Sequence, residues 1–280
     1  WRTNLAVLAG VAVATAVIAG ALVLGDSVRY SLQQMSLDRL GQIDHLLTGP
    51  RFFREQLADE LRPALGDAGV APALVMQGTI EFGATRESAI RAGKIQVYGV
   101  DERCWQLLDT RDISPPQAGE IVINQGVATQ LSLKQGDTVT LVVEIPASIP
   151  RDALLGEREE TVTALELKVA AIASDETGPA RLGFNPSLQL PLNAFVSLAE
   201  LQQQTGLAAV PRSRRQPIAK PARVNTLLFG NVGNLSQEEA AELTTLIQQT
   251  LQLDDLALRL TLSERYGYVA LESDQMMLEN

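Results

Sequence analysis

Between Leu5 and Gly25 the chain reads LAVLAGVAVATAVIAGALVLG, with no charged side chain. As a helix rising about 1.5 Å per residue this stretch would be about 31 Å long, close to the ~30 Å hydrocarbon core of a bilayer. It is expected to be a membrane span. A secretory signal has a shorter apolar region of about 7–15 residues and fits less well, although Ala19-Gly20-Ala21 resembles a cleavage site. A buried core element is the third reading. Gly10, Ala14 and Ala21 would let a second helix approach closely, or are simply part of an Ala-rich sequence.

The run ends in GALVLGDSVRYSL, residues 20–32, where Gly-Asp-Ser also imitates the nucleophile turn of a GDSL-type hydrolase. That chemistry needs a histidine to take the serine proton. The only histidine, His45, comes too soon after Ser27, and no Asp-x-x-His pair stands near the C-terminus. Asp26 and Ser27 are better read as the point where the chain leaves the hydrocarbon. Val28, Leu32, Met35 and Leu40 then form a helical stripe, and no proline occurs before Pro50. The span is expected to continue as a stalk that lifts a soluble part off the membrane. Arg2 precedes the span while Arg29 and Arg39 follow it, so the positive-inside count does not favour an outward C-terminus. Large domains cross largely regardless of charge, and the side stays open at this point.

A net charge of −10 argues against a nucleic-acid binder, which needs a basic surface on the phosphates. The lone Cys104 forms no intrachain disulfide, so a packed core must hold the fold, in either a reducing or a periplasmic compartment. Trp1 in place of Met suggests a segment of a longer polypeptide.

Residues 42–82 read as strand, helix, strand. QIDHLLT is the first strand, Pro50 opens a helix over RFFREQLADELRPAL with Phe53, Leu57 and Leu61 on one face, and APALVMQGTIEF is the second strand. The order returns near the other end. RVNTLLFG is a strand, Gly230 to Asn234 a turn, Ser236 to Glu239 a capping box opening a helix over 238–252, and LALRLTLS a strand. The middle is richer in strands: VYGVD, GEIVIN, DTVTLVVEI and TVTALELKVAAIA, with Gly136-Asp137 a turn and QGVATQLSL a short helix. NAFVSLAELQQQTG reads as a helix ended by Gly206. The fold class expected is α+β. An N-terminal transmembrane and stalk helix (1–41) precedes a split βαβ lobe made of 42–96 and 222–271, with a β-rich lobe inserted at 97–221. Residues 272–280, ending LESDQMMLEN, read as the start of a second stalk.

Two connections stand apart. Residues 146–160 are polar. Residues 208–223 are Pro-rich and carry Arg212, Arg214, Arg215, Lys220 and Arg223, a basic run suited to lipid phosphates or an acidic partner, or to a solvated loop.

Nothing assembles into a catalytic, cofactor-binding or metal site. One His and one Cys leave no ligand cluster. His45 beside Asp44 reads as a strand-edge residue, and Cys104-Trp105 as buried. Gly230 to Gly233 lacks the lysine of a phosphate-binding loop. Glu159-Glu160 and Asp254-Asp255 are adjacent carboxylates on loops, without an acid/base role.

The order of these parts resembles the MacB-type, FtsX-like permeases of ABC transporters. GALVLGDSVRYSL is similar to the exit of their first span, VYGVDERCW to their Gly-Val-Asp strand, and EIVINQGVATQLSLKQGDTVTL to their strand, short helix and Gly-Asp turn. QLPLNAFVSLAELQQQTGL followed by VNTLLF looks like the return to the membrane-proximal lobe. The resemblance implies a porter-like lobe carrying a sabre-like insertion, on the periplasmic side of a bacterial inner membrane. It implies a non-catalytic permease without cofactor that transmits ATP-driven motion outward. Its implied partners are a cytoplasmic ABC ATPase subunit, a second permease copy in a dimer, membrane lipid and an extracytoplasmic protein. Further spans would follow residue 280. The basic 208–223 connection has no counterpart in that pattern. Members handle lipoproteins, peptides, toxins or peptidoglycan-hydrolase activation, so the resemblance carries a mode of action and not a substrate. A single-span anchored binding or sensor module is the competing reading, and a secreted hydrolase using Ser27 the third.

Overall fold

A computed structural model of the chain describes residues 1–66, 69–83, 89–144, 162–184, 189–213, 219–233, 235–263 and 267–273. Helix α1, Arg2–Leu40, is a single unbroken helix spanning both the uncharged run and the stripe that follows it. It is the one described helix long and apolar enough to cross a membrane. The apolar side chains from Leu5 to Leu24 stand exposed all round. That rules out the buried-core reading, because a core helix covers one face at least.

The remainder is β-rich with short helices. Strands β1 (Ile43–Arg54), β2 (Gly69–Phe82), β3 (Ile90–Val100), β4 (Glu120–Asn124), β5 (Thr138–Glu144), β6 (Val162–Ala173), β7 (Asn193–Ser197) and β8 (Arg223–Gly230) form one sheet in the order β1-β8-β2-β3-β7-β4-β6-β5. β2 belongs to two structures. Its first residues, Gly69 to Ala73, pair with β8, and β8 in turn pairs antiparallel with β1. Its later residues pair with β3, and Gly78 to Glu81 pair also with β5. That last pairing closes β2, β3, β7, β4, β6 and β5 into a six-stranded barrel. β3 runs through the expected boundary at 96/97, and barrel strands come from both sides of it.

Alternation fills the barrel. Ile95 and Val97, Ile121 and Ile123, Val139, Leu141 and Val143, Leu165, Leu167 and Val169, and Ala194 and Val196 point into one core that continues beneath β1 and β8 through Phe53, Val224 and Leu227. Each aliphatic side chain taken from water there contributes about 1.5–3 kcal/mol. The alternate residues Tyr98, Val122 and Phe195, facing the other way, form a second core with Cys104, Trp105 and Leu107 of α3 (Glu102–Leu107) and with α5 (Gly178–Arg181). Tyr98 stacks on Phe195 at 4.9 Å, and Trp105 meets Phe195 edge-on at 5.6 Å. The middle of the chain follows its local signals. Asn124 caps α4 (Gln125–Leu131) by accepting the Val127 N–H, and Asp137 accepts the Lys134 N–H across the turn at Gly136, whose φ is +95°.

Several expectations are corrected. The helix expected from Pro50 is strand as far as Arg54, because Phe53 and Arg54 pair with Val224 and Arg223 of β8. Pro50 falls in the irregular stretch between Thr48 and Phe53 of this edge strand, where a missing N–H costs no ladder bond. Only Leu57–Leu61 (α2) is α-helical, followed by a 3-10 turn at Arg62–Ala64. Phe53 reaches the core by strand geometry, and its spacing from Leu57 and Leu61 imitates a helix face. Asn193 to Ser197 are likewise strand, paired on both edges, with only Leu198–Gln204 (α6) helical.

The capping box at Ser236 and Glu239 is present at the head of α7, Gln237–Thr250. The strand after it, β9 (Leu258–Ser263), does not join the main sheet. It pairs with β10 (Tyr268–Ser273) in a separate two-stranded sheet, so no second βαβ unit forms among the described residues. Glu272 and Ser273 are therefore strand and not the opening of a stalk, while residues 274–280 and the 146–160 connection lie outside the described residues.

Candidate functional site

The place where α1 enters the sheet is built with unusual closeness. The helix stops at Gly41, whose φ of +63° turns the chain sharply into β1. The Gln42 N–H then donates to the Leu107 carbonyl at 3.2 Å, and the Gln42 carbonyl accepts from the Asn231 N–H at 3.4 Å. Leu107, at the end of α3, lies over two glycines. A Cβ on Gly230 would sit 2.5 Å from Leu107 Cδ2 and 2.8 Å from the Gln42 carbonyl oxygen; one on Gly69 would sit 2.8 Å from Leu107 Cδ2. Gly69 and Gly230 are register partners on β2 and β8, so they make one notch for one knob. On the last turn of α1, the buried Arg39 reaches the Gln189 carbonyl.

Next to this junction, the Asp44 carboxylate accepts the Val232 and Gly233 N–H groups at 2.8 and 2.9 Å. The Gly230 to Gly233 turn thus has its anion within the fold. His45 lies on edge strand β1, and its Nε2 meets the Gly233 carbonyl at 3.2 Å. Ser27 lies in the exposed middle of α1, about 20 Å of helix before Leu40, so the two residues of the hydrolase reading are not brought together.

At the other end of β1, Arg54 is held from two sides. Its guanidinium meets Asp255 (2.9–3.1 Å) and Glu60 (2.8 and 3.0 Å), with side-chain exposures of 6 % for Arg54 and 0 % for Asp255. The bonds to Glu60, with those to Asp255, outweigh desolvation and hold Arg54 charged above its ordinary range. Arg103 is a second hub. Burial pulls it down, but Asp101 at 2.6 Å, Asp59 and Glu55 raise it overall. Asp254 pairs with Arg223 at 2.8 Å, so the adjacent carboxylates 254 and 255 each serve a separate arginine. The sequence contains the Asp254-Asp255 pair but gives no sign of partners so far away in the chain.

Cys104 is fully buried, and burial pushes its thiol well above the ordinary range, Asp101 adding to this. It is a packing residue, as its neighbour Trp105 is. Among the described residues no group of three or more His, Cys, Asp or Glu is placed to hold a metal. In the basic run, Arg212 and Lys220 are exposed, Lys220 bridges to Val210, and Arg223 is used by Asp254; residues 214–218 and Glu159-Glu160 lie outside the described residues.

The family model described as the MacB-like periplasmic core domain matches residues 5–226. The match begins within α1 and runs through the barrel into β8. No curated protein matches the chain.

Proposed function

From a chain that belongs to the MacB-like periplasmic core domain family, we propose a permease subunit of an ABC transporter whose outer domain transmits motion generated by a cytoplasmic ATPase. The observation that carries this reading is the unbroken passage from the apolar run to the sheet. α1 spans Arg2 to Leu40 without a break and ends in the Gly41-Gln42 turn, pinned to Leu107 and Asn231. A displacement of the helix is delivered to β1, β8 and β2 through that turn, because a close-packed junction moves as a unit.

In this reading the three-stranded part with α2 and α7 is the porter-like lobe and the barrel the sabre-like one. The domain lies on the periplasmic side of a bacterial inner membrane, a second copy completes a permease dimer, and an outer protein receives the motion. The permease itself performs no bond chemistry, and ATP hydrolysis belongs to the partner subunit.

The test is a stalk break in the full-length protein reconstituted with its ATPase. Inserting Gly-Pro between Gln33 and Gln34 interrupts the helical ladder. Hydrolysis is expected to persist while transport, or activation of the outer partner, is lost, with the domain still folded by circular dichroism. Unchanged transport would remove the transmission reading and favour a single-span binding or sensor module.

A further inference from the structure

A cleft of about 630 Å³ opens at the Arg54–Arg223 end of the sheet. One wall is Leu207 with Lys220; the other is Leu253 with Leu258, Arg259 and Leu260. Its volume is in the range of ligand-binding clefts, about 300–1,000 Å³. The Arg223–Asp254 pair lies in the lining, and the Arg54–Asp255 pair stands next to it in the chain, so the cleft is tied to both β8 and β1. Three cations, Lys220, Arg223 and Arg259, line the cleft against one carboxylate, Asp254, which Arg223 engages; on the hairpin, Arg259 has Glu272 as its register partner. In a chain of net charge −10 this is a local reversal of sign.

The backbone points the same way. β9 has β10 on one edge, and no strand on the other among the described residues. Leu258 to Leu260 of this strand line the cleft. An open edge is a template for another strand. The register puts Leu260 opposite Leu271 and Leu262 opposite Val269 on one face of the hairpin, and these four are 54–64 % exposed. An apolar face of this kind beside an excess of cations is complementary to a strand of alternating apolar and acidic side chains.

We infer that this cleft is the docking site for an extended, acidic and apolar segment of a protein partner, which adds along the open edge of β9 with its carboxylates on Lys220 and Arg259. A lipid surface is the poorer fit. The cleft stands at the end of β8 away from α1, roughly 23 Å of strand from Gly230, the register partner of Ile43. The part of α1 beyond the apolar run adds about 22 Å between lipid and β1. Docking here needs no ATPase, so its success or failure is independent of the transmission reading.

The experiment uses the full chain in nanodiscs and three probes: a short fluorescent peptide alternating leucine with aspartate, its leucine/lysine counterpart, and short-chain phosphatidylglycerol as competitor. The acidic peptide is expected to bind, more weakly as salt rises, and the lysine peptide not to. Exchanging both cations (Lys220→Glu with Arg259→Glu) is expected to weaken the acidic peptide about tenfold and to confer binding of the lysine peptide, a gain that a misfolded variant would not show. Leu260→Asp is expected to abolish binding of either. Equal binding of the two peptides, no change of preference in the exchanged variant, or displacement by the lipid overturns the proposal. So does a doubling of mass by light scattering that Leu260→Asp reverses, since a second copy would then fill the cleft.

Discussion

The barrel and the three-stranded sheet beside it share β2, yet they deal with their edges in opposite ways. In the barrel every strand has two partners, and the alternation of β5 and β6 puts Val139, Leu141, Val143, Leu165, Leu167 and Val169 inside. Closure leaves no edge. Beside it, β1 is an edge strand, α7 has no fully buried residue, and β9 with β10 stands as a separate hairpin. A two-stranded hairpin is marginal in water unless something else holds it. Here polar contacts hold the turn that leads into it, Leu253–Leu256: Arg54 with Asp255, and Arg223 with Asp254. The barrel is thus built to stay as it is. The part beside it carries two elements, α7 and the β9–β10 hairpin, that are expected to open separately from it.

The largest effect should come from cutting the polar clamp. Arg54→Met leaves the Asp255 carboxylate buried without its partner, a loss of about 3–5 kcal/mol. Hydrogen exchange should speed at 253–263 while barrel amides such as those of Val139 to Val143 keep their protection. Equal loss in both regions would mean that they are one cooperative unit, and the comparison would fail. Leu141→Ala is the converse experiment. Leu141 is fully buried inside the barrel, and its truncation should cost about 2–5 kcal/mol. Chemical denaturation should show that loss in the barrel's own transition.

The junction sharpens the comparison from a third side. Gly230→Ala forces a methyl group into the Leu107 side chain and the Gln42 carbonyl, and overpacking of this kind costs about 1–3 kcal/mol. Leu107→Ala in the same chain should recover part of it, because the crowding atom is then gone. A double-mutant cycle with no coupling would show that knob and notch do not act together.

What was legible in the sequence follows the range of the interactions involved. The span, the capping box at Ser236, the short helix after Asn124 and the turn at Gly136 are fixed within a few residues, and each stands where the local pattern puts it. Local spacing misplaces Phe53, because its burial comes from β8, far along the chain, and the same spacing to Leu57 and Leu61 suits a helix. Asn193 to Ser197 match the helix that follows by local pattern, since only their two neighbouring strands make them a central strand. α3 has a local signal of its own in Asp101, which caps it by accepting the Cys104 N–H, but the same residue also suits the end of the VYGVD strand. Closure by β2 on β5 and the Gly69–Gly230 notch left no local trace, being contacts between segments distant in sequence. The span was the strongest signal because lipid imposes its requirement on consecutive residues.

The smallest expected effect separates the two regions by pH. Glu239 accepts the Ser236 N–H at 2.7 Å, while Ser236 Oγ accepts the Glu239 N–H at 3.3 Å. The bond from the Ser236 backbone, with that of its side chain, holds the Glu239 carboxyl below the usual glutamate range. Because the folded value lies below the unfolded one, the box stabilises α7 in full above the ordinary glutamate range. That contribution falls as pH drops through the range and is lost below the folded value. The carboxylate is exposed, so salt screens it and the effect stays local. Amide exchange at the head of α7 should rise on acidification after correction for intrinsic rates, with barrel amides unaffected. Glu239→Gln should flatten that dependence. A barrel that loosens in step with α7 would show the two regions to be coupled after all. Lack of any response at the helix head would instead place its stability in the half-buried Leu246, Ile247 and Leu251.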